Sequence, residues 1–408
     1  MKKVLALVLV AVLALSAAAC AAPAAAPAAA APAAEAAAPA AKEEAAPAAA
    51  EAAPAAEAAP AAEAAAPAAE AAAPAAGGAV TLGTGYSIMT TVKLLGIGWF
   101  DRTNVMIDEF AANTGNNCYQ TGPSEADAAA TNQLLEDAIA TGVDAICIIP
   151  FSPSSADSVL AKARAQGIKV ISHEATDQVE CDYDIEAFDN FAYGAKLMDT
   201  LAKGMGSEGE YYTTVGAVTA TSQCQWEEGG YNQQQAAYPN MTAVERKLET
   251  QDEQANSKSI MAEMINTYPD LKGFQGATSQ DAPGGAEAVA EAGMIGKITV
   301  VGTSMPSIAC KQLEDGSLYA MALWDPGLTV YAMNTLCVMM LDGNESMINE
   351  SLDLSAASGY PGGLPGYDKL IFTDGAGNGK IIFADATLVI DNVDQMNQYK
   401  GADGEYYL

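Results

Sequence analysis

The 408 residues contain three tryptophans, Trp99, Trp226 and Trp324, and each stands close to side chains that can pair with a hydroxyl. Lys93 and Phe100 flank Trp99, Ser222 and Gln223 precede Trp226, and Asp325 follows Trp324. Glu174 beside His173, Ala277 with Ser279, and Thr303 extend the set. An aromatic face stacks on the C–H-rich side of a sugar ring, while carboxylates, amides and an ammonium take up its hydroxyls. The chemistry these types suggest is recognition of a small polyol. Catalysis is not suggested. His173 is the single histidine, so no Ser-His-Asp site exists without it and no zinc site can be built on two histidines. The seven cysteines contain no CxxC pair, which leaves no zinc ribbon or redox motif. No cofactor, metal or nucleophile–base pair is expected. With 51 acidic against 19 basic residues and a net charge of −32, the surface repels phosphate backbones, so nucleic acid is excluded as a partner. Taken singly, a tryptophan is ordinarily core packing and a loop lysine is ordinarily solvated; the weight falls on where these residues cluster.

The elements that would position them alternate strand and helix. Short apolar runs predict strands at 87–92, 117–121, 145–150, 169–172, 183–185, 211–218, 243–248, 273–276, 298–302 and 319–324. Segments of helical period fill the gaps at 104–113, 125–140, 190–205, 223–238, 256–268, 283–292, 307–315 and 328–341, and Ser152-Pro153 opens a further helix that Gly167 closes. Such βα repetition predicts an α/β fold of doubly wound, Rossmann-like parallel sheets, too long for one sheet and therefore in two lobes. In open parallel sheets ligands bind beyond the carboxyl ends of the strands. Lys93, Trp99, Phe100, Glu174, Ser222, Gln223, Ala277, Ser279, Thr303, Trp324 and Asp325 all follow such ends.

The amino-terminal part is of another kind. Lys2 and Lys3, an apolar run from Val4 to Leu15, and the small residues before Cys20 form an export signal, too short to span a bilayer comfortably. Its end resembles the lipobox of bacterial lipoproteins, with Ala17 where leucine is usual, and implies lipidation at Cys20; ordinary secretion is the other reading. Residues 21–76 comprise 39 Ala, 9 Pro, 7 Glu and one Lys, a composition that builds no core. A disordered Ala/Pro linker that spaces the domain from a membrane and drift in low-complexity sequence are equal readings of it. The expected divisions are a signal over 1–20, a linker over 21–78, a first lobe over 79–176 plus 326–365, and a second over 177–325 plus 366–408. The remaining six cysteines are expected to be mostly buried and reduced. Asp374-Gly-Ala-Gly-Asn-Gly379 is half of a calcium loop at best, and a glycine-rich turn is expected there.

Lys93-Leu-Leu-Gly-Ile-Gly-Trp-Phe100, Gly122-Pro-Ser-Glu125, Gly142-Val-Asp-Ala-Ile146, Gly167-Ile-Lys-Val170, Ser222-Gln-Cys-Gln-Trp226 and Ala322-Leu-Trp-Asp325 occur in the order found in type I periplasmic binding proteins, and residues 85–408 resemble the sugar-binding branch of that family. The likeness is greatest to the autoinducer-2 and rhamnose-type receptors of ABC importers, and residues 374–386 are similar to that group's closing segment. The resemblance implies two lobes joined by a three-strand hinge, crossing near 175–177, 324–326 and within 357–370, that close on a ligand and dock on a permease. Lys93 would donate to a ligand oxygen and Gln223 would bind the ligand. Glu174 stands at a family aspartate, Ser222 replaces a second one, and Ala277 and Ser279 occupy positions whose backbone contacts the ligand. His173 stands where tryptophan is frequent. The loss of an acceptor at Ser222 points to a related sugar rather than the autoinducer. The resulting expectation is a monomeric, extracytoplasmic receptor tethered to the membrane only by its lipid. A sensor domain feeding a chemoreceptor or kinase is the alternative.

Overall fold

The computed structural model describes residues 80–408 other than 378. Cys20 and the segment 21–78 lie outside the described residues. From Ser87 the chain runs β1 (Ser87–Thr91), α1 (Gly98–Thr114), β2 (Asn117–Thr121), α2 (Ala128–Thr141), β3 (Ala145–Ile148), α3 (Pro153–Ala165), β4 (Lys169–Ser172) and β5 (Tyr183–Glu186). Next come α4 (Asn190–Met205), β6 (Gly209–Val215), α5 (Thr221–Ala237), β7 (Met241–Glu249), α6 (Gln254–Thr267), β8 (Leu271–Gly276), α7 (Asp281–Glu291), β9 (Thr299–Thr303), α8 (Pro306–Glu314) and β10 (Ala320–Leu323). The chain ends with α9 (Pro326–Leu341), α10 (Leu354–Ala357), β11 (Ile371–Asp374), β12 (Lys380–Phe383), β13 (Leu388–Ile390) and α11 (Val393–Met396).

Two sheets result, one in each lobe. The first has seven strands in the order β11-β12-β5-β4-β3-β1-β2, and the second has six in the order β13-β10-β9-β8-β6-β7. Both are mixed rather than purely parallel, because β11 runs antiparallel to β12 and β13 antiparallel to β10. The expected lobe divisions need correction at two places. β5 was placed in the second lobe, yet Ile171 and Ser172 of β4 pair with Tyr183 and Asp184 of β5, so the chain turns back into the first sheet after 177–182. Residues 371–383, also expected in the second lobe, add to the first sheet through the pairing of β12 with β5, Tyr183 opposite Lys380 and Glu186 opposite Phe383. The chain therefore passes between the sheets at 187–189, again between β10 and α9, and a third time at 384–387, rather than near 175–177 and within 357–370. β11 and β12 pair as an antiparallel hairpin, with the Gly375 N–H donating to the Gly379 carbonyl oxygen at 3.1 Å.

Local chemistry explains most boundaries. Asp127 and Asp189 accept backbone N–H bonds at the starts of α2 and α4, and Gly115, Gly142 and Gly206 close α1, α2 and α4 in the left-handed conformation. α1 begins at Gly98, before the expected 104, so Trp99 and Phe100 ride its first turn. α9 is buried almost all round, packing on α1, β3 and β4, as an all-apolar helix requires. Cys118, Cys147, Cys181 and Cys337 are buried free thiols, with Cys147 and Cys337 Sγ atoms 3.6 Å apart, and Cys224 and Cys310 are half-buried.

α4 and α5 approach through glycines. A Cβ at Gly194 would stand 1.8 Å from the Trp226 carbonyl oxygen, and one at Gly229 would stand 2.2 Å from that of Phe191. Gly194→Ala forces the backbones apart and is expected to cost about 2 kcal/mol. It should also displace Trp226, so urea denaturation and tryptophan fluorescence should change together; an unchanged midpoint would contradict this packing.

Candidate functional site

Where the carboxyl ends of strands from both sheets face one another, they line a narrow cleft with about 20 Å³ of free space, room for one or two waters at ~10–15 Å³ each. Lys93, Trp99, Phe100 and Glu174 line it from the first lobe; Gln223, Ala277, Ser279 and Thr303 line it from the second, and Trp324 lines it where β10 leaves for α9. Ile97, Trp226, Asp252 and Thr278 complete the wall.

Lys93 is buried and its ammonium pairs with Glu174, equally buried. Burial alone would push the ammonium down. The carboxylates of Glu174, Asp252 and Glu186 outweigh that and hold Lys93 above the usual lysine value. Glu174 adopts a left-handed backbone, φ 54°, which swings its side chain off the line of β4. His173 is also buried. Its Nδ1 lies 2.6 Å from the Ile185 carbonyl oxygen, which can only accept, so Nδ1 carries the proton. Nε2 has no partner, and burial pushes the imidazole below its usual value.

The second lobe supplies the opposing wall. Gln223 accepts from the Gly216 N–H at 2.7 Å and donates to Asp252 Oδ1 at 3.3 Å, which fixes its amide orientation. Asp252 follows the end of β7, where Gln251 and Asp252 are both left-handed, φ 59° and 57°. The turn brings its carboxylate back to the cavity with Oδ2 unpartnered. Burial, opposed by Lys93, raises its carboxyl to about 6. Asp281 accepts from the hydroxyls of Thr214, Thr250 and Thr278, each at 2.7 Å, and from the Ala277 N–H at 3.1 Å, pinning the 277–280 loop.

The aromatic groups form one edge-on cluster. Trp324 lies 4.7 Å from Trp99, 5.0 Å from Phe188 and 5.5 Å from Trp226, ring centre to ring centre. Phe188 stacks on Tyr193 at 4.0 Å, and the Tyr193 hydroxyl lies 2.9 Å from Thr303 Oγ1. Trp324 Nε1 has no partner.

Two expected site residues lie elsewhere. Ser222 is buried but outside the cavity wall, donating to Glu186 Oε1 at 3.3 Å and accepting from Asn190 at 3.3 Å. Asp325 caps α9 through the Gly327 N–H and pairs with Arg102 at 2.6 and 3.0 Å, on a separate cavity with Tyr360, Tyr367 and Tyr399. An acid directly before a proline at a helix start is an N-cap, and Arg102 takes up its remaining charge. Ile97, Asp252 and Thr278 were absent from the expected set. The strand-end rule that selects Gln223 would have found Asp252, since it follows the strand expected at 243–248.

The wall is costly to keep charged. An aspartate titrates at ~3.9 in an unfolded chain, and Asp252 at about 6 in the fold. Between those values the folded state holds more protons, so this contribution is greatest at low pH and is lost as pH rises through about 6, up to ~3 kcal/mol. Asp252→Asn is therefore expected to raise the Tm at pH 7 and to leave it nearly unchanged at pH 4; scanning calorimetry at the two pH values checks this.

Residues 88–345 match the family model described as a periplasmic binding protein domain. The chain belongs to the periplasmic binding protein family. In this binding protein the two-sheet architecture is that of the type I fold, and it is a binding protein rather than an enzyme. LsrB from Clostridium saccharobutylicum in complex with AI-2 superposes with a TM-score of 0.68 at 18% identity, covering 77% of this chain and all of that one. An ABC transporter solute-binding protein from Clostridium phytofermentas with bound L-rhamnose gives 0.64 at 21% identity, covering 78% of this chain and 98% of that one. The D-allose-binding periplasmic protein of Escherichia coli is 25% identical over 213 residues, 50% of this binding protein and 68% of the relative.

Proposed function

We propose that the protein is the solute-binding component of an ABC importer that captures a small sugar or sugar-like furanose between its lobes and presents the closed form to a permease. The observation that carries the reading is the lining of this cleft, in which tryptophans from both lobes and the hinge surround one lysine, two carboxylates and a fixed glutamine. Lys93 donates to a ring or hydroxyl oxygen, and Glu174, Asp252 Oδ2 and Gln223 take up hydroxyls. Trp99 and Trp226 cover the C–H faces. Each charge-assisted bond contributes about 1.5–3 kcal/mol, so four or five reach micromolar affinity after ordering costs. The relatives with bound AI-2 and L-rhamnose and the D-allose-binding relative support a ligand of this size. With Ser222 turned away from the cavity and Asp252 supplying the second carboxylate, a sugar is favoured over the autoinducer. The protein acts as a monomer, held outside the cytoplasm by a lipid on Cys20, with residues 21–78 as its tether.

Thermal shift against pentoses, deoxyhexoses and autoinducer-2, with purines and amino acids as controls, tests the ligand class. Stabilisation by purines or amino acids and by no polyol would sink it. Gln223→Ala and Trp99→Ala should each weaken binding of the best sugar by ~1–3 kcal/mol with the fold intact, read by titration calorimetry beside circular dichroism. Mass spectrometry of the mature amino terminus tests the lipid, and an unmodified terminus would remove it.

A further inference from the structure

One cluster of buried acids is left over once the cavity is assigned. Asp184 and Glu186 lie two apart on β5, so their side chains share a face, and both are at most 2% exposed. Asp184 Oδ1 accepts from the Ser172 hydroxyl at 2.8 Å, and its Oδ2 has no geometric partner. Glu186 Oε1 accepts from the Ala175 N–H at 3.1 Å on the first-lobe loop and from the Ser222 hydroxyl at 3.3 Å at the start of α5 in the second lobe. Ser222 in turn accepts from Asn190, whose Oδ1 receives the indole N–H of the cavity residue Trp226 at 2.7 Å. The pair therefore sits where the chain first crosses between lobes and is wired to the ligand cavity.

Two carboxylates this buried require a cation or a proton. Among the described residues no lysine or arginine forms an ion pair with either: Lys93, whose charge reaches Glu186, is paired with Glu174, and Arg164 with Glu180 and Asp182. The other ionisable groups facing the pair are Glu174 and Asp177 from the loop after β4 and the phenol of Tyr367, none of which adds positive charge. His173, on the same loop, is held as the neutral ring. Burial raises Asp184 to about 6 and Glu186 well above the carboxylate range, the latter further through Asp184.

We propose that Asp184 and Glu186 share one proton in the closed receptor, and that ligand capture is coupled to uptake of that proton from solvent. Opening withdraws Ser222 from Glu186 and admits water to the pair, which returns both groups toward ordinary carboxylates. Closure then takes up the proton again. Affinity is highest in mild acid and falls as pH rises through neutrality, by at most tenfold per pH unit for one linked proton. Asp252 has the opposite sign, because ligand hydroxyls favour its ionised form and release a proton.

The inference rests on the sugar reading and is tested with the sugar giving the largest thermal shift. Titration calorimetry at pH 7 in phosphate and in Tris counts protons taken up per sugar bound. The wild type should show net uptake, larger in Asp252→Asn. In Glu186→Gln, which keeps the acceptor oxygen and is neutral at every pH, uptake should vanish and leave only the release from Asp252, and in Glu186→Gln combined with Asp252→Asn the Kd should become flat from pH 6 to 8; Asp184→Asn gives the same readouts if Glu186→Gln fails to fold. Heats independent of buffer in both wild type and Asp252→Asn, or undiminished uptake in Glu186→Gln, overturn the proposal. If no sugar binds but another ligand class does, the sugar reading fails, and the same buffer comparison with that ligand still decides the proton.

Discussion

Lys93→Met is expected to cost the fold about 3–5 kcal/mol and to abolish the sugar-induced thermal shift, the loss typical when one partner of a buried ion pair is removed. Glu174 would be left at 5% exposure with only the neutral His173 near it, Nε2 to Oε1 3.8 Å. Asp252 and Glu186, which also feel the ammonium, would lose their nearest positive charge. Because the cost is that of an orphaned carboxylate and not of a lost bond, Lys93→Met combined with Glu174→Gln should recover much of it without restoring binding. Urea denaturation of both single variants and the double variant measures the coupling. A single-variant loss below about 1 kcal/mol would show that water reaches Glu174 and that the pair is not enclosed.

Trp324→Ala carries the second large effect, about 3–5 kcal/mol by the scale for emptying a buried aromatic site. The indole is 1% exposed and contacts Trp99, Trp226, Phe188 and, at 5.9 Å, the His173 ring, so its loss opens the common wall of both lobes. Trp324→Phe separates packing from recognition. Phenylalanine retains most of the apolar contact, and the Nε1 it deletes has no partner in the protein, so the fold should lose no more than about 1.5 kcal/mol. A ligand oxygen that accepts from Nε1 would be missed, and sugar affinity should fall several-fold. Equal losses of stability in the two variants would argue against this division.

Much of this architecture is written locally. α4 follows the expected span because Asp189 caps one end and Gly206 the other, and both signals are in the residues themselves. The strand ends that carry Lys93, Glu174, Gln223, Ser279 and Thr303 were legible for the same reason: apolar runs mark where a parallel strand stops, and the sheet brings those stops together. The membership of β5 was not legible. A strand is expected at 183–185, but with the first crossing placed near 175–177 it falls to the second lobe, and only long-range pairing with β4 and β12 returns it to the first sheet. Asp252 lay within reach of the same rule, but the turn that aims its carboxylate at the site was not legible, because two successive non-glycine residues, Gln251 and Asp252, turn left-handed, a conformation that no local preference announces. Asp325 is the converse case, a residue at a strand end whose carboxylate is consumed by its own helix and by Arg102.

The first sheet is finished late. β12, which lies between β5 and β11, starts at Lys380, near the end of a 408-residue chain, and α9, which packs on β3 and β4, follows the whole of β6–β10. Nearly the entire described chain must therefore be present before that lobe can close over its core. The topology thus makes a carboxy-terminal truncation of some thirty residues, which removes β12 from the sheet, an assault on the lobe that the chain begins first.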